Sequence, residues 1–219
     1  MTTLRLAHRG DWRAAPENSL AAMAAALALP RCDGLEFDVR SSRDGVPVVL
    51  HDPSLRRVQG IAADVADLAA VELAGHGIPS LAAVLALAGP EPFLDVELKG
   101  EPAPAVVHVL EAARGQALER AAVSSFEPPT LAWLGRERPG WPRWLNALDL
   151  GPLTVAVATD AGCSAVAVAW TAIDGAGLDR ARRAGLDVAA WTVRELATYE
   201  RLAGLGVIAI CAEADALDG

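Results

Sequence analysis

Short apolar, β-branched runs recur along the chain and alternate with Ala- and Leu-rich stretches of helical spacing. The runs predict strands over 4–8, 34–40, 47–51, 92–98, 120–125, 142–148, 163–169, 187–193 and 207–211. Between most of them the spacing predicts helices: 19–29 behind Asn18, 80–88 behind Ser80, 103–115, 128–137, 174–184 stopped by Gly185, and 194–204 with Gly206 beyond. Such alternation marks βα units around a parallel sheet. The Pro-rich stretch 101–104 reads as a strand-to-helix loop, and no linker or low-complexity tract divides residues 1–219. The chain is therefore expected to be one α/β barrel domain.

Nine strands exceed the eight of a closed α/β barrel, and one connection accounts for the excess. Too few residues separate Arg40 from Pro47 for a parallel crossover, which needs about a dozen, so 34–40 and 47–51 should form an antiparallel hairpin turning at Asp44-Gly45. A two-residue turn sets Asp38 opposite His51, and a four-residue turn sets Glu36 there. Either register puts His51 beside an acidic pair at the barrel rim.

Barrel strands are covered by helices outside and packed side chains inside, so charge on them needs a reason. In 35–39 and 94–99 the period of two sends the apolar residues to one face and Glu36, Asp38, Asp95, Glu97 and Lys99 to the other, which must be the interior. Carboxylates buried at that density repel one another unless a cation sits among them. A thiolate-free acidic cluster suits a hard divalent ion, Mg²⁺ or Ca²⁺, and the expected ligands are Glu36, Asp38 and Glu97. Lys99 is the single lysine among 19 basic residues, placed where a compact ammonium can meet a phosphate or carboxylate oxygen. His8 and His51 end rim strands and converge on the acids as an acid/base pair, whereas His76 and His108 read as surface or packing residues. Trp191 is expected to wall the site, and Ser125 to cap a loop or touch it.

Composition narrows the partners. The chain has 219 residues, 53% of them hydrophobic, and 28 acids against 19 bases give a net charge of -9. Such a surface does not suit nucleic acid, which needs clustered excess Lys and Arg. Cys32, Cys163 and Cys211 are too few and too scattered for a disulfide framework or zinc site, and read as free thiols of a reducing compartment. The N-terminus runs into the first strand without space for a secretory leader, and the apolar stretch 153–170 is broken by Asp160 and Gly162. A cytoplasmic chain acting on a small molecule, without stable membrane insertion, is the expectation.

The ordered series His8-Arg9-Gly10, Pro16-Glu17-Asn18-Ser19, Glu36-Phe37-Asp38-Val39, Asp44-Gly45, His51-Asp52, Ile78-Pro79-Ser80-Leu81, Glu97-Leu98-Lys99, Ser125-Phe126 and Trp191-Thr192-Val193 resembles the glycerophosphodiester phosphodiesterase family. The resemblance implies a TIM (β/α)8 barrel of the PLC-like phosphodiesterase type, and metal-dependent hydrolysis of a glycerophosphodiester to sn-glycerol 3-phosphate and an alcohol. It further implies His8 and His51 as acid/base pair, Ca²⁺ or Mg²⁺ on Glu36, Asp38 and Glu97, and Arg9 and Lys99 on the phosphate. Departures fall at Arg194, where the family usually has Asn, in the last strand through Cys211-Ala212-Glu213, and in 52–77, which corresponds to a trimmed insertion after the hairpin. Two other functions use the same carboxylates. A metal-dependent barrel isomerase or lyase would use them on a sugar phosphate, and a non-catalytic barrel would only bind glycerol phosphate.

Overall fold

A computed structural model describes residues 2–100, 102 and 104–219. Glu101 and Ala103, within the loop expected at 101–104 and the start of the helix expected at 103–115, lie outside the described residues. The strands are β1 (Leu4–His8), β2 (Gly34–Ser41), β3 (Pro47–Val49), β4 (Phe93–Leu98), β5 (Ala121–Ser125), β6 (Arg143–Ala147), β7 (Ala165–Ala169), β8 (Asp187–Val193) and β9 (Ala209–Ala212). The helices are α1 (Leu20–Leu27), α2 (Arg56–Gln59), α3 (Ala70–Gly75), α4 (Leu81–Ala88), α5 (Ala105–Arg114), α6 (Pro128–Glu137), α7 (Pro152–Asp160), α8 (Gly175–Arg183), α9 (Leu196–Gly204) and α10 (Asp215–Asp218).

Strand order closes the barrel. β1 pairs in parallel with β2 on one side and β9 on the other, and β2 continues through β4, β5, β6, β7 and β8 to β9. Only β3 is antiparallel, and it leaves the ring as a hairpin on β2. Its register differs from both expected ones: Val39 pairs with Val49 and Ser41 with Pro47, which places Phe37 level with His51. The cause is a three-residue loop, 43–45, in which the Gly45 N–H donates to the Ser42 carbonyl and Gly45 takes φ +75°.

Alternation along the strands sorts the side chains into two cores. The outward set, including Leu35, Phe37, Leu94, Val96, Val123, Val166 and Val188, packs under the helices. The inward set at the base of the barrel is Leu6, Ala122, Trp144, Ala165, Ala167, Ala189 and Ala209, where alanines leave the volume that Trp144 and Phe93 fill as a stacked pair at 5.7 Å. Further along the same strands the inward positions become polar, as in Asp95 and Glu97 after Phe93, and Ser124 after Ala122. The site therefore opens at the C-terminal ends of the strands.

Helix starts follow local capping. Ser19 and Ser80 accept from the backbone N–H of Ala22 and Ala83, each at 3.2 Å. Ser19 takes the role expected of Asn18, whose side chain is used elsewhere. The sequence reading omitted α7, because an apolar segment with little one-sided pattern does not advertise a helix. A third cluster, Val48, Leu50, Leu55, Val65, Leu73 and Ile78, holds the segment after the hairpin over the rim.

Candidate active site

The strand register builds the acidic cluster directly. Glu36 lies level with Asp95 and Asp38 with Glu97 across the β2–β4 pair, and all four are buried. One oxygen each from Glu36, Asp38 and Glu97 lies within 4.8 Å of the others, so the three expected ligands do converge. Lys99 sits against them, its Nζ 2.5 Å from Glu97 Oε1 and 3.2 Å from Asp38 Oδ1. Arg9 Nε lies 3.1 Å from Asp38 Oδ2, and Arg9 Nη1 donates to Glu17 at 2.9 Å. The two residues expected at a phosphate are thus held by carboxylates, at the edge of the cavity they line.

The loop after β1 makes this possible. Its backbone turns through left-handed residues Arg9 (φ 60°) and Asn18 (φ 58°), with the Arg9 N–H donating to the Glu36 carbonyl and the Asn18 N–H to the Arg9 carbonyl. Asn18 Nδ2 then donates to Asp38 Oδ2 at 2.9 Å. Arg40 Nε donates to the His51 carbonyl at 2.8 Å and fixes the end of the hairpin.

Burial and the other carboxylates push Glu36 well above the usual range, and Glu97 is raised by burial and by Asp38. Burial also pushes Asp38 up, but Arg9 and Lys99 outweigh it and hold its carboxyl below its ordinary value. Asp95, beneath them, is pushed up to about 7 by burial. Glu36 Oε2 is buried with no hydrogen-bond partner among the described residues. An orphaned carboxylate oxygen inside an all-oxygen donor set fits a hard divalent cation.

Each histidine is tied through Nδ1. His8 Nδ1 donates to Glu213 Oε1 at 2.5 Å and His51 Nδ1 to Asp52 Oδ1 at 2.6 Å, because an ionised carboxylate can only accept. His8 Nε2 lies 3.8 Å from Glu36 Oε2, on the side of the acidic cluster. Burial holds His51 below its ordinary value. Burial would raise Glu213, yet its bonds to His8 and Arg194 bring it down to about 2, and the Arg57 bond brings Asp52 to about 2.

A cavity of about 170 Å³ is lined by His8, Arg9, Glu36, His51, Glu97, Lys99 and Trp191, together with Asp95, Phe126, Asn146, Thr192 and Cys211. Every expected site residue meets it except Asp38, which is fully buried behind the wall. Trp191 is half-buried, donates from Nε1 to the Ala167 carbonyl at 2.9 Å and meets Phe126 edge-on at 5.6 Å. Ser125 caps the β5 loop, donating to the Leu98 carbonyl and accepting from the Glu127 N–H, and His76 and His108 are exposed. All three cysteines are free. Sequence reading missed Glu213 as a partner of His8, since 205 positions separate them and neither carries a pattern that names the other.

A profile of the glycerophosphoryl diester phosphodiesterase family matches residues 8–214. The chain belongs to this family. The glycerophosphodiester phosphodiesterase of Caldanaerobacter subterraneus subsp. tengcongensis is 37% identical over 113 residues, covering 45% of this chain and 46% of that one. The match thus spans about half the length of that relative. Among solved structures, a glycerophosphodiester phosphodiesterase of Thermotoga maritima superposes with TM-score 0.84 at 22% identity, over 100% of this chain and 96% of that one. An Oleispira antarctica phosphodiesterase, solved in complex with the product sn-glycerol-3-phosphate, superposes with TM-score 0.79 at 23% identity over 96% and 93% of the two chains. These family folds share the closed parallel barrel. None of the described helices is long and apolar enough to cross a membrane.

Proposed function

We propose that the chain hydrolyses glycerophosphodiesters to sn-glycerol 3-phosphate and an alcohol with the help of a divalent metal. The observation that carries the reading is the pairing of a three-carboxylate cluster with two histidines on one cavity, each histidine bonded to a carboxylate through Nδ1. Membership of the phosphodiesterase family supports it, as does the product bound in the Oleispira antarctica structure.

Glu36, Asp38 and Glu97 would hold Mg²⁺ or Ca²⁺, which when bound supplies Lewis-acid polarisation of phosphate oxygens. Lys99 and Arg9, already at the cluster, would turn their donors to the phosphate and offset charge that grows in the transition state. His8 and His51, with Nδ1 committed, would each take or give a proton at Nε2, one at the attacking oxygen and one at the leaving oxygen. Trp191 and Phe126 would give the glycerol carbons or the alcohol an apolar wall.

Release of glycerol 3-phosphate from a panel of glycerophosphodiesters tests this, comparing wild type with His51→Ala and Glu97→Ala. We expect turnover by wild type and losses of at least about 100-fold in both variants. A wild type that binds glycerol phosphate but releases none from any diester would contradict hydrolysis and leave the binding barrel.

A further inference from the structure

The two histidines end three-membered chains of the same make-up. Beyond His8, Glu213 Oε2 accepts from Arg194 Nε at 2.8 Å; beyond His51, Asp52 Oδ2 accepts from Arg57 Nε at 2.6 Å. In each chain the carboxylate gives one oxygen to the ring and the other to the arginine Nε, and in the second Arg57 Nη2 also donates to the ring-bound Asp52 Oδ1 at 3.2 Å. The arginines are the exposed ends: the Arg194 side chain is 70% exposed while that of Glu213 is 7% exposed. An exposed ion pair by itself stabilises a fold little. Here one partner is a buried carboxylate whose other oxygen holds a ring at the cavity.

Resting on the hydrolytic reading, we propose that Arg194 and Arg57 are positioning residues that fix the rotation of Glu213 and Asp52 and so keep each histidine with its proton on Nδ1 and Nε2 free to react. The physical need is greater for Glu213. Its terminal torsion is soft, and it reaches His8 from a different strand end, whereas Asp52 is the chain neighbour of His51. The backbone frames the first chain, since the Glu213 N–H donates to the Val193 carbonyl at 2.8 Å and the Ala216 N–H to the Arg194 carbonyl at 3.0 Å. Besides the His8 ring itself, the Arg194 side chain sets which way the carboxylate faces.

The two arginines differ in a way that separates their effects. Arg57 also donates twice to Glu17, at 2.9 and 2.6 Å, and Glu17 accepts from Arg9. Removing Arg57 therefore loosens a residue placed at the phosphate as well as His51. Arg194 reaches the site through Glu213 alone among the bonds described for its side chain.

The test uses Glu213→Gln, Arg194→Ala and the double variant. Against Arg194, the amide oxygen of Gln must face the guanidinium, which turns its NH₂ toward His8 Nδ1 and moves the ring proton to Nε2. We expect kcat to fall by about 100-fold in Glu213→Gln and about tenfold in Arg194→Ala, with KM within about twofold in both. The double variant should exceed Glu213→Gln alone, because the amide is then free to offer its oxygen to Nδ1–H. Arg194→Lys should recover part of the Arg194→Ala loss, and Arg57→Ala should raise KM as well as lower kcat. Ring ¹⁵N spectra of the metal-free chain, read in the pH range where their shifts show a neutral ring, should show the His8 proton on Nδ1 in wild type, on Nε2 in Glu213→Gln, and on Nδ1 again in the double variant. An unchanged tautomer in Glu213→Gln, or losses that simply multiply in the double variant, would overturn the proposal. A wild type without turnover would defeat the hydrolytic reading, while the spectra would still decide the tautomer.

Discussion

Lys99 shows how far one residue's chemistry can be read before its surroundings are seen. In a chain whose other bases are all arginine, its place two residues after Glu97 suggested a site that takes a point charge and not a planar fork. Its Nζ does sit between Glu97 and Asp38, with the side chain 14% exposed, where a guanidinium would have to displace one carboxylate. Lys99→Arg should therefore keep the fold but lose at least about tenfold in kcat/KM, read from initial rates alongside a thermal melt. Full activity in that variant would show that charge alone suffices. The acids beside it were legible because charge on a barrel strand is itself a signal. Glu213 and Arg194 were not, since each looks like an ordinary loop residue until β8 and β9 are placed side by side. The departures at Arg194 and through Cys211-Ala212-Glu213 therefore build part of the site's closing side.

At the scale of elements, the barrel strands and the hairpin were legible from the period of two and from a connection too short to cross over. The register was not, because it depends on a three-residue loop whose Gly45 must adopt φ +75°. Gly34 shows the opposite constraint, close approach: a Cβ there would fall 1.9 Å from the Phe93 carbonyl oxygen, at the start of the β2–β4 pair that aligns the carboxylates. Gly34→Ala should cost several kcal/mol, roughly 3 or more, and lower the thermal midpoint accordingly. The segment after the hairpin behaves differently, because its small apolar cluster is separate from both barrel cores. Leu73→Ala, at a fully buried position, should cost about 2–4 kcal/mol within that cluster and open residues 56–75 to limited proteolysis. Because Arg57 lies there and braces Asp52 and Glu17, the same variant should lose activity before the barrel melts. Proteolysis that begins at the barrel strands would contradict this division.

Across the whole molecule, charge is arranged unevenly between a net acidic exterior and a barrel mouth where Arg9, Lys99, Arg57 and Arg194 brace buried or half-buried carboxylates. Asp52 and Glu213 fall to about 2 from ordinary values of 3.8 and 4.5. A carboxylate lowered on folding adds stability above its unfolded value and loses it as pH falls through the folded one. The excess stability of wild type over Glu213→Gln should therefore shrink between about pH 4.5 and pH 2 in denaturant titrations. A gap that stays constant over that range would mean that Glu213 is not held by its partners. The central claim, a hydrolytic site completed by metal on Glu36, Asp38 and Glu97, is tested most directly by one ³¹P NMR time course. Chelator-treated protein is mixed with a glycerophosphodiester, and Mg²⁺ or Ca²⁺ is then added. The account predicts a static diester signal before addition and steady conversion to the glycerol 3-phosphate signal after it. Conversion at the same rate in chelator, or none with either metal, would contradict it.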